Sequence, residues 1–425
     1  MKRVDSVDVL RGLALIAMVI CHYPIFLSSG EGADAALHFL SNHLLGGDFG
    51  ASWFVFLVGL SQVLSARKRT GQQGPDAGRV VTRGAAIFII GLLFLLVVQG
   101  YEELWDWDIL TFIGAATILL LPCRGTPSWK LILFCIAVLF VTPWLRSFVD
   151  LAPFYGGGFE NAKWISDYIP NFVFDPIRDY ESGSTVFHVV LGFFLIGQFP
   201  LLPWIVFPVA GFVIGRRLTE NRLASDAPLI VIIGFMLISM GLFTAYAGSI
   251  RPGFSVPNDY LVPLSFYPSS FSMVIFILGV VLVLYTALWR IYDVNRDEMS
   301  APGIFLKYCR QLSKYSLTIY VTHFAFFFIP LRIVRLFTGT YYLRDLMSTS
   351  VAFGLAVILL LAYYPVLKLW DRVDGKYSFE WLLARLLSSG KRKHAVIARP
   401  HAQGRSYPKY QEGLIKAAKE RGIFQ

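Results

Sequence analysis

Residues 9–26 read VLRGLALIAMVICHYPIF, and this run decides the fold. Apart from Arg11 near its start and His22 near its end, it offers little for water to hold. Its length approaches what a helix needs to cross the hydrocarbon core of a bilayer. Outward from it the pattern recurs, in Ala85–Val98, Leu131–Trp144, Val186–Gly215, Leu229–Ala247, Phe271–Leu288, Leu317–Leu331 and Val351–Val366. Backbone groups in lipid must bond within their own segment, and these runs lack the alternation of barrel strands, so they read as helices. The expectation is an all-α, polytopic membrane protein of ten spans. These fall near 8–27, 51–66, 85–100, 109–123, 131–148, 186–214, 228–248, 268–289, 315–336 and 349–369. Pro200, Pro203 and Pro208 should kink the sixth span or divide it into two pieces.

Composition agrees. The chain is 56% hydrophobic and 16% charged, and the charges gather between the apolar runs. Lys2 and Arg3 ahead of the first run resemble a secretion signal. Asp8 and Arg11 interrupt that run, however, and no small-residue cleavage pattern follows, so an uncleaved first span is expected.

Charge sets the expected orientation. With both termini cytoplasmic, the inner loops take the clusters Arg67-Lys68-Arg69, Arg79 with Arg83, Arg216-Arg217 and Arg310 with Lys314. The outer loops take few cations, as the positive-inside rule requires of an even number of spans. The net charge of +10 is thus a mark of topology and no argument for nucleic-acid binding. None of the four cysteines pairs with another in an outer loop, and no His/Cys spacing suggests a metal site. A membrane domain is expected over 1–372 and a basic, partly flexible cytoplasmic tail over 373–425, set against anionic headgroups.

Polar groups are expensive near the membrane and usually functional. Residues 27–50 read as a short non-helical stretch between the first two spans, and they hold His38, Asn42, His43 and Asp48. A base, an amide and a carboxylate are thereby tethered at a membrane surface, with His22 at the end of the preceding helix. Asp8 and Arg11 lie three apart and share a helical face. They can form an ion pair, or Arg11 can face phosphates from the cytosolic side. His188 opens the sixth span, and Tyr320 and His323 share one face of the ninth, with Ser316 one turn before Tyr320. A polar stripe on an apolar helix points to a cavity or to a partner helix. The aromatic, acidic stretch Tyr101–Asp108 reads as an interfacial anchor, and the long loop Asp150–Thr185 as a surface suited to a polar substrate.

Taken together, Asp8-Val-Leu-Arg-Gly-Leu-Ala-Leu-Ile-Ala-Met-Val, then His38, Asn42, Asp48 and Trp53-Phe-Val-Phe-Leu-Val-Gly59, resemble the catalytic domain of heparan-alpha-glucosaminide N-acetyltransferase and its bacterial relatives. Phe199-Pro-Leu-Leu-Pro-Trp204, Tyr267-Pro-Ser-Ser270 and Tyr315–His323 agree with the bacterial members. The resemblance implies an acyl-CoA-dependent transferase of a bacterial inner membrane. It would take an acyl group, acetyl in the family, from cytosolic acyl-CoA to an amine or hydroxyl of a sugar or glycan on the far side. Acetyl-CoA is then a donor substrate, and no cofactor is permanently bound. His38 would be the catalytic histidine, with Asn42 as oxyanion donor and Asp48 in support. The chain departs from the animal enzymes in having His22 where they have an asparagine. The wider acyltransferase-3 superfamily places its histidine there, which makes His22 the alternative. Arg11, Arg83, Arg216 and Lys314 are candidates for the CoA entry, because CoA is polyanionic. Partners are membrane lipids, acyl-CoA and the acceptor, and a homodimer is compatible with the sequence. A succinyltransferase of periplasmic glucans and a secondary transporter are the competing readings.

Overall fold

The computed structural model describes residues 3–28, 35–41, 47–67, 77–99, 107–146, 186–250, 264, 269–295, 301–338 and 347–389. Asn42, His43, residues 100–106, residues 147–185 and the basic tail from residue 390 lie outside the described residues, as do the side chains of Asp48 and His188.

The protein is all-helical, with no strand among the described residues. In chain order the helices are α1 (Asp5–Leu27), α2 (Ala35–Phe39), α3 (Gly47–Arg67), α4 (Ala77–Phe94), α5 (Ile109–Leu119), α6 (Ser128–Arg146), α7 (Val186–Leu191), α8 (Leu201–Trp204) and α9 (Val206–Thr219). They continue as α10 (Leu223–Ile250), α11 (Phe271–Trp289), α12 (Ile304–Lys314), α13 (Ser316–Thr338), α14 (Thr349–Asp371) and α15 (Phe379–Ser389). Among the described residues eight helical segments are long and apolar enough to cross a membrane, and α5 and the start of α13 are shorter apolar helices. The chain is a multi-pass membrane protein.

All ten expected spans coincide with helices, but their ends and neighbours differ in informative places. The sixth begins at Leu201 rather than 186, because the chain leaves the helix at Gly197 (ψ 179°) and is extended at Pro200 (φ −68°, ψ 151°). Residues 186–196 form a separate helical piece, α7 with the turn that follows it. The stretch 27–50 is not wholly irregular. His38 sits on α2, and the backbone of Asp48 is already in the first turn of α3. Two amphipathic helices, α12 and α15, lie where the sequence suggested a loop and a tail.

Helices α1, α9 and α11 are central, while α10 leans on α11 and exposes Met236, Phe243 and Tyr246. In a bilayer such a face meets acyl chains, so packing inside the bundle must come from close fit rather than hydrophobic contrast. Glycine supplies that fit where α3 crosses α9. A Cβ on Gly59 would stand 1.8 Å from the Pro208 carbonyl oxygen, and one on Gly211 would stand 1.9 Å from that of Phe56.

The amphipathic α12 lies against α1 and α14. Its Cys309 packs on Gly12, and burial pushes this thiol up to about 12. Arg310 grips Asp5 through both carboxylate oxygens at 2.6–2.9 Å. The free N–H groups of the α1 N-terminus are met by a remote carboxylate. Asp293 accepts from the Asp5 and Ser6 amides at 2.7 and 3.1 Å.

Candidate active site

A cavity of about 360 Å³ opens among α1, α3, α4, α5, the end of α12, α13 and α15. Five cations line it: Arg11, Arg79, Arg83, Arg124 and Lys314. The only carboxylate among its described lining residues is Glu380. A chamber with this charge balance suits a polyanion. Its walls also offer apolar surface from Phe54, Leu57, Ile87 and Ile113, as a ligand with both charged and uncharged parts requires.

Arg11 and Lys314 are held differently. Arg11, one helical turn beyond Asp8, donates to Ser313 Oγ at 3.0 Å and to Ser61 Oγ at 2.9 Å. Ser313 in turn donates to Asp8 Oδ1 at 2.6 Å, so Asp8 and Arg11 meet through a hydroxyl. Asp8 also pairs with Arg3. Lys314 reaches the Asp371 carboxylate, which also takes bonds from the Tyr315 hydroxyl at 2.6 Å and the Gln311 amide at 2.8 Å. Burial pulls the Arg124 guanidinium down from its ordinary value. Arg216 is not among the lining residues. Its guanidinium donates to the carbonyls of Cys123, Arg124 and Thr126 at 2.5–2.7 Å, stapling α9 to the turn after α5. A turn that presents three carbonyls to a forked donor accounts for that placement.

Tyr320 is among the residues that line the cavity. Its hydroxyl donates to Asp108 Oδ1 at 2.6 Å, and Asp108 caps α5 by accepting from the Leu110 amide at 3.2 Å. Behind Tyr320, one turn along α13, lies His323, which is wholly buried. His323 Nδ1 is 2.6 Å from the Tyr320 carbonyl oxygen and 3.2 Å from that of Ile319, and its Nε2 is 2.9 Å from His22 Nδ1. The rings of the two histidines stack at 5.2 Å, with Phe324 against both and Phe26 at the edge of His22.

This network assigns the tautomers. A carbonyl only accepts, so His323 Nδ1 carries the proton and its Nε2 is the acceptor. In the neutral pair His22 must then donate through Nδ1, which leaves a lone pair on His22 Nε2. The arrangement is a base oriented by a second group that is itself oriented by a third, the logic of a catalytic triad with a backbone carbonyl in the last place.

The structure therefore brings His22 together with His323, while His38 sits half-buried on α2, which packs on α14. The His38 carbonyl accepts from Ser41 Oγ at 2.9 Å. Sequence reasoning missed Ser61, Asp108, Ser313 and Glu380. Asp108 was hidden in a stretch read as interfacial anchor. Glu380 lies in FEWLLARLL, where Leu383 and Leu387 at helical spacing were the available signal.

Residues 3–174 match the family described as heparan-alpha-glucosaminide N-acetyltransferase, catalytic. The match supports that family over this part of the chain. It is a family of membrane acetyltransferases, and the resemblance read from the first span and the loop after it is borne out. No curated protein matches the chain. The acetyltransferase match takes in Arg11, His22, Arg83 and Asp108, and it ends before α13 and α15, which supply Tyr320, His323 and Glu380. The two histidines in contact thus come one from within the matched segment and one from beyond it.

Proposed function

We propose that this chain is a bacterial inner-membrane acetyltransferase. It takes acetyl-CoA from the cytosolic side into the basic cavity and delivers the acetyl group to an amine or hydroxyl of a sugar on the far side. The observation that carries this reading is the succession of polar residues along α1 and along α12 with α13. Arg11 and His22 lie on α1, about 16 Å apart along its axis. Lys314 ends α12, and Tyr320 and His323 follow in the first turns of α13. The cation-lined cavity has Tyr320 on its wall, and the His22–His323 pair stands one helical turn beyond that tyrosine.

In this reading the CoA phosphates sit among Arg11, Arg79, Arg83 and Lys314. His22 Nε2 takes the proton of the acceptor amine or hydroxyl as its lone pair attacks the thioester carbonyl. Collapse of the tetrahedral adduct breaks the carbon–sulfur bond. The thiolate leaves with the proton from His22, yielding free CoA and the acetylated sugar. His323 steadies the imidazolium that forms in between, through the bond that already fixes the tautomer. Asn42 is the proposed donor to the oxyanion, with Asp48 in support; Asn42 and the side chain of Asp48 lie outside the described residues.

The test uses the full-length protein in liposomes with radiolabelled acetyl-CoA and a soluble amino sugar. Label should move to the sugar with wild type and not with His22→Ala. If His22→Ala is fully active while His38→Ala is dead, the base is His38 and the histidine pair is structural. If no variant, wild type included, labels any acceptor, the transferase reading fails.

A further inference from the structure

We infer that Glu380 is the positioning residue of the site, acting through the first turn of α13; this rests on the transferase reading above. Glu380 Oε1 accepts from the backbone amides of Leu317 at 2.6 Å and Thr318 at 3.0 Å, and Oε2 accepts from Thr318 Oγ1 at 2.5 Å. The contact is reciprocal, because the Phe379 amide donates to Thr318 Oγ1 at 3.0 Å. One carboxylate from α15 thus satisfies two of the N–H groups that every helix leaves open at its start. Its charge also complements the positive end of the helix dipole.

The residues held in this way matter. Tyr320 is three positions after Leu317, and His323 is six after it. Any rotation or slip of that first turn moves the phenol off Asp108 and the imidazole off His22. The sequence supplies no substitute, since the helix begins directly after Lys314-Tyr315 and the cap must come from elsewhere in the fold. Asp293 does the same for α1, the helix that carries His22. Both histidines therefore stand on helices whose starts are pinned by a carboxylate from a distant segment. Glu380 also faces the cavity alongside Leu383 and Leu387, so α15 is at once a wall of the donor chamber and the clamp on α13.

The test compares Glu380→Ala with Glu380→Gln in full-length protein, by two readouts. The first is amide hydrogen exchange over residues 315–324. It should quicken roughly tenfold in Glu380→Ala and much less in Glu380→Gln, whose oxygen still accepts from both amides. The second is kinetics. In Glu380→Ala kcat should fall about 10- to 100-fold with acetyl-CoA KM little changed, and Glu380→Gln should restore most of it. Unchanged exchange in Glu380→Ala overturns the inference without reference to activity. Faster exchange with unchanged kcat overturns the link to catalysis, and a rise in KM alone would make Glu380 a donor-site residue instead. An inactive wild type sinks the transferase reading, which the exchange arm does not depend on.

Discussion

His22 Nδ1 and His323 Nε2 stand 2.9 Å apart although 301 positions separate them in the chain. With His323 Nδ1 committed to the Tyr320 carbonyl, this one contact determines which His22 nitrogen is free to accept a proton. His22→Ala should lower acetyl transfer by roughly 10²- to 10⁴-fold, the usual worth of a general base. His323→Ala should also lower kcat, and the double variant should be no worse than His22→Ala alone, because the two rings act as a unit. Initial rates at saturating acetyl-CoA decide this. Additive losses would show that the rings work separately.

Tyr320 and Asp108 form the second contact between distant helices. Tyr320→Phe leaves Asp108 Oδ1 without the phenol that donates to it, at a cost of about 1–3 kcal/mol. A double-mutant cycle with Asp108→Asn, read by thermal unfolding in detergent, should give a coupling of about 1–2 kcal/mol. A coupling near zero would mean that the short hydroxyl–carboxylate bond contributes nothing to stability.

The crossing of α3 and α9 tolerates no side chain. Gly211→Ala and Gly59→Ala each drive a methyl group into a carbonyl oxygen, so both should destabilise by about 1–3 kcal/mol or more. Gly125→Ala is the control, as nothing lies within 4 Å of a Cβ built there. Size-exclusion profiles and thermal midpoints of the three variants make the comparison. Equal behaviour would mean that the helices can separate at no cost.

The cavity cations should act on donor affinity rather than on turnover. Arg79→Gln and Arg83→Gln should each raise acetyl-CoA KM about two- to fivefold with kcat preserved, the modest effect of a partly exposed charge. Raising ionic strength should raise the wild-type KM in the same direction and narrow the gap to the variants. A salt-independent KM would place the CoA phosphates elsewhere. Arg216→Gln should behave differently. Its donors hold the turn at Cys123–Thr126, so loss of stability should precede any effect on KM.

Buried Cys309 supplies a pH test that needs no activity. Its thiol is pushed up to about 12, so the reactive thiolate is scarce at neutral pH and grows only as pH approaches that value. Maleimide labelling of the folded protein at pH 7 should therefore spare Cys309, whereas detergent-unfolded protein should be labelled there. Mass spectrometry of the peptide resolves the two cases.

Much of this protein was legible along the chain. Hydropathy is a local property, and a backbone in lipid has no choice but to form helices, so the all-helical membrane architecture and the positions of the spans could be read from residues alone. Helical periodicity likewise placed Tyr320 and His323 on one face. The family match then agreed with motifs read from the first span and from the loop and span that follow it. The tertiary structure decided which polar residues meet. Arg216 turned to a carbonyl-rich turn, Asp8 and Arg11 met through Ser313, and His22 found His323. Glu380 reached back to the start of α13. These contacts depend on how far each helix is rotated and slid against its neighbours. That register is set by close approaches such as Gly59 on Pro208 and Gly211 on Phe56, whose consequences appear only when the helices are packed.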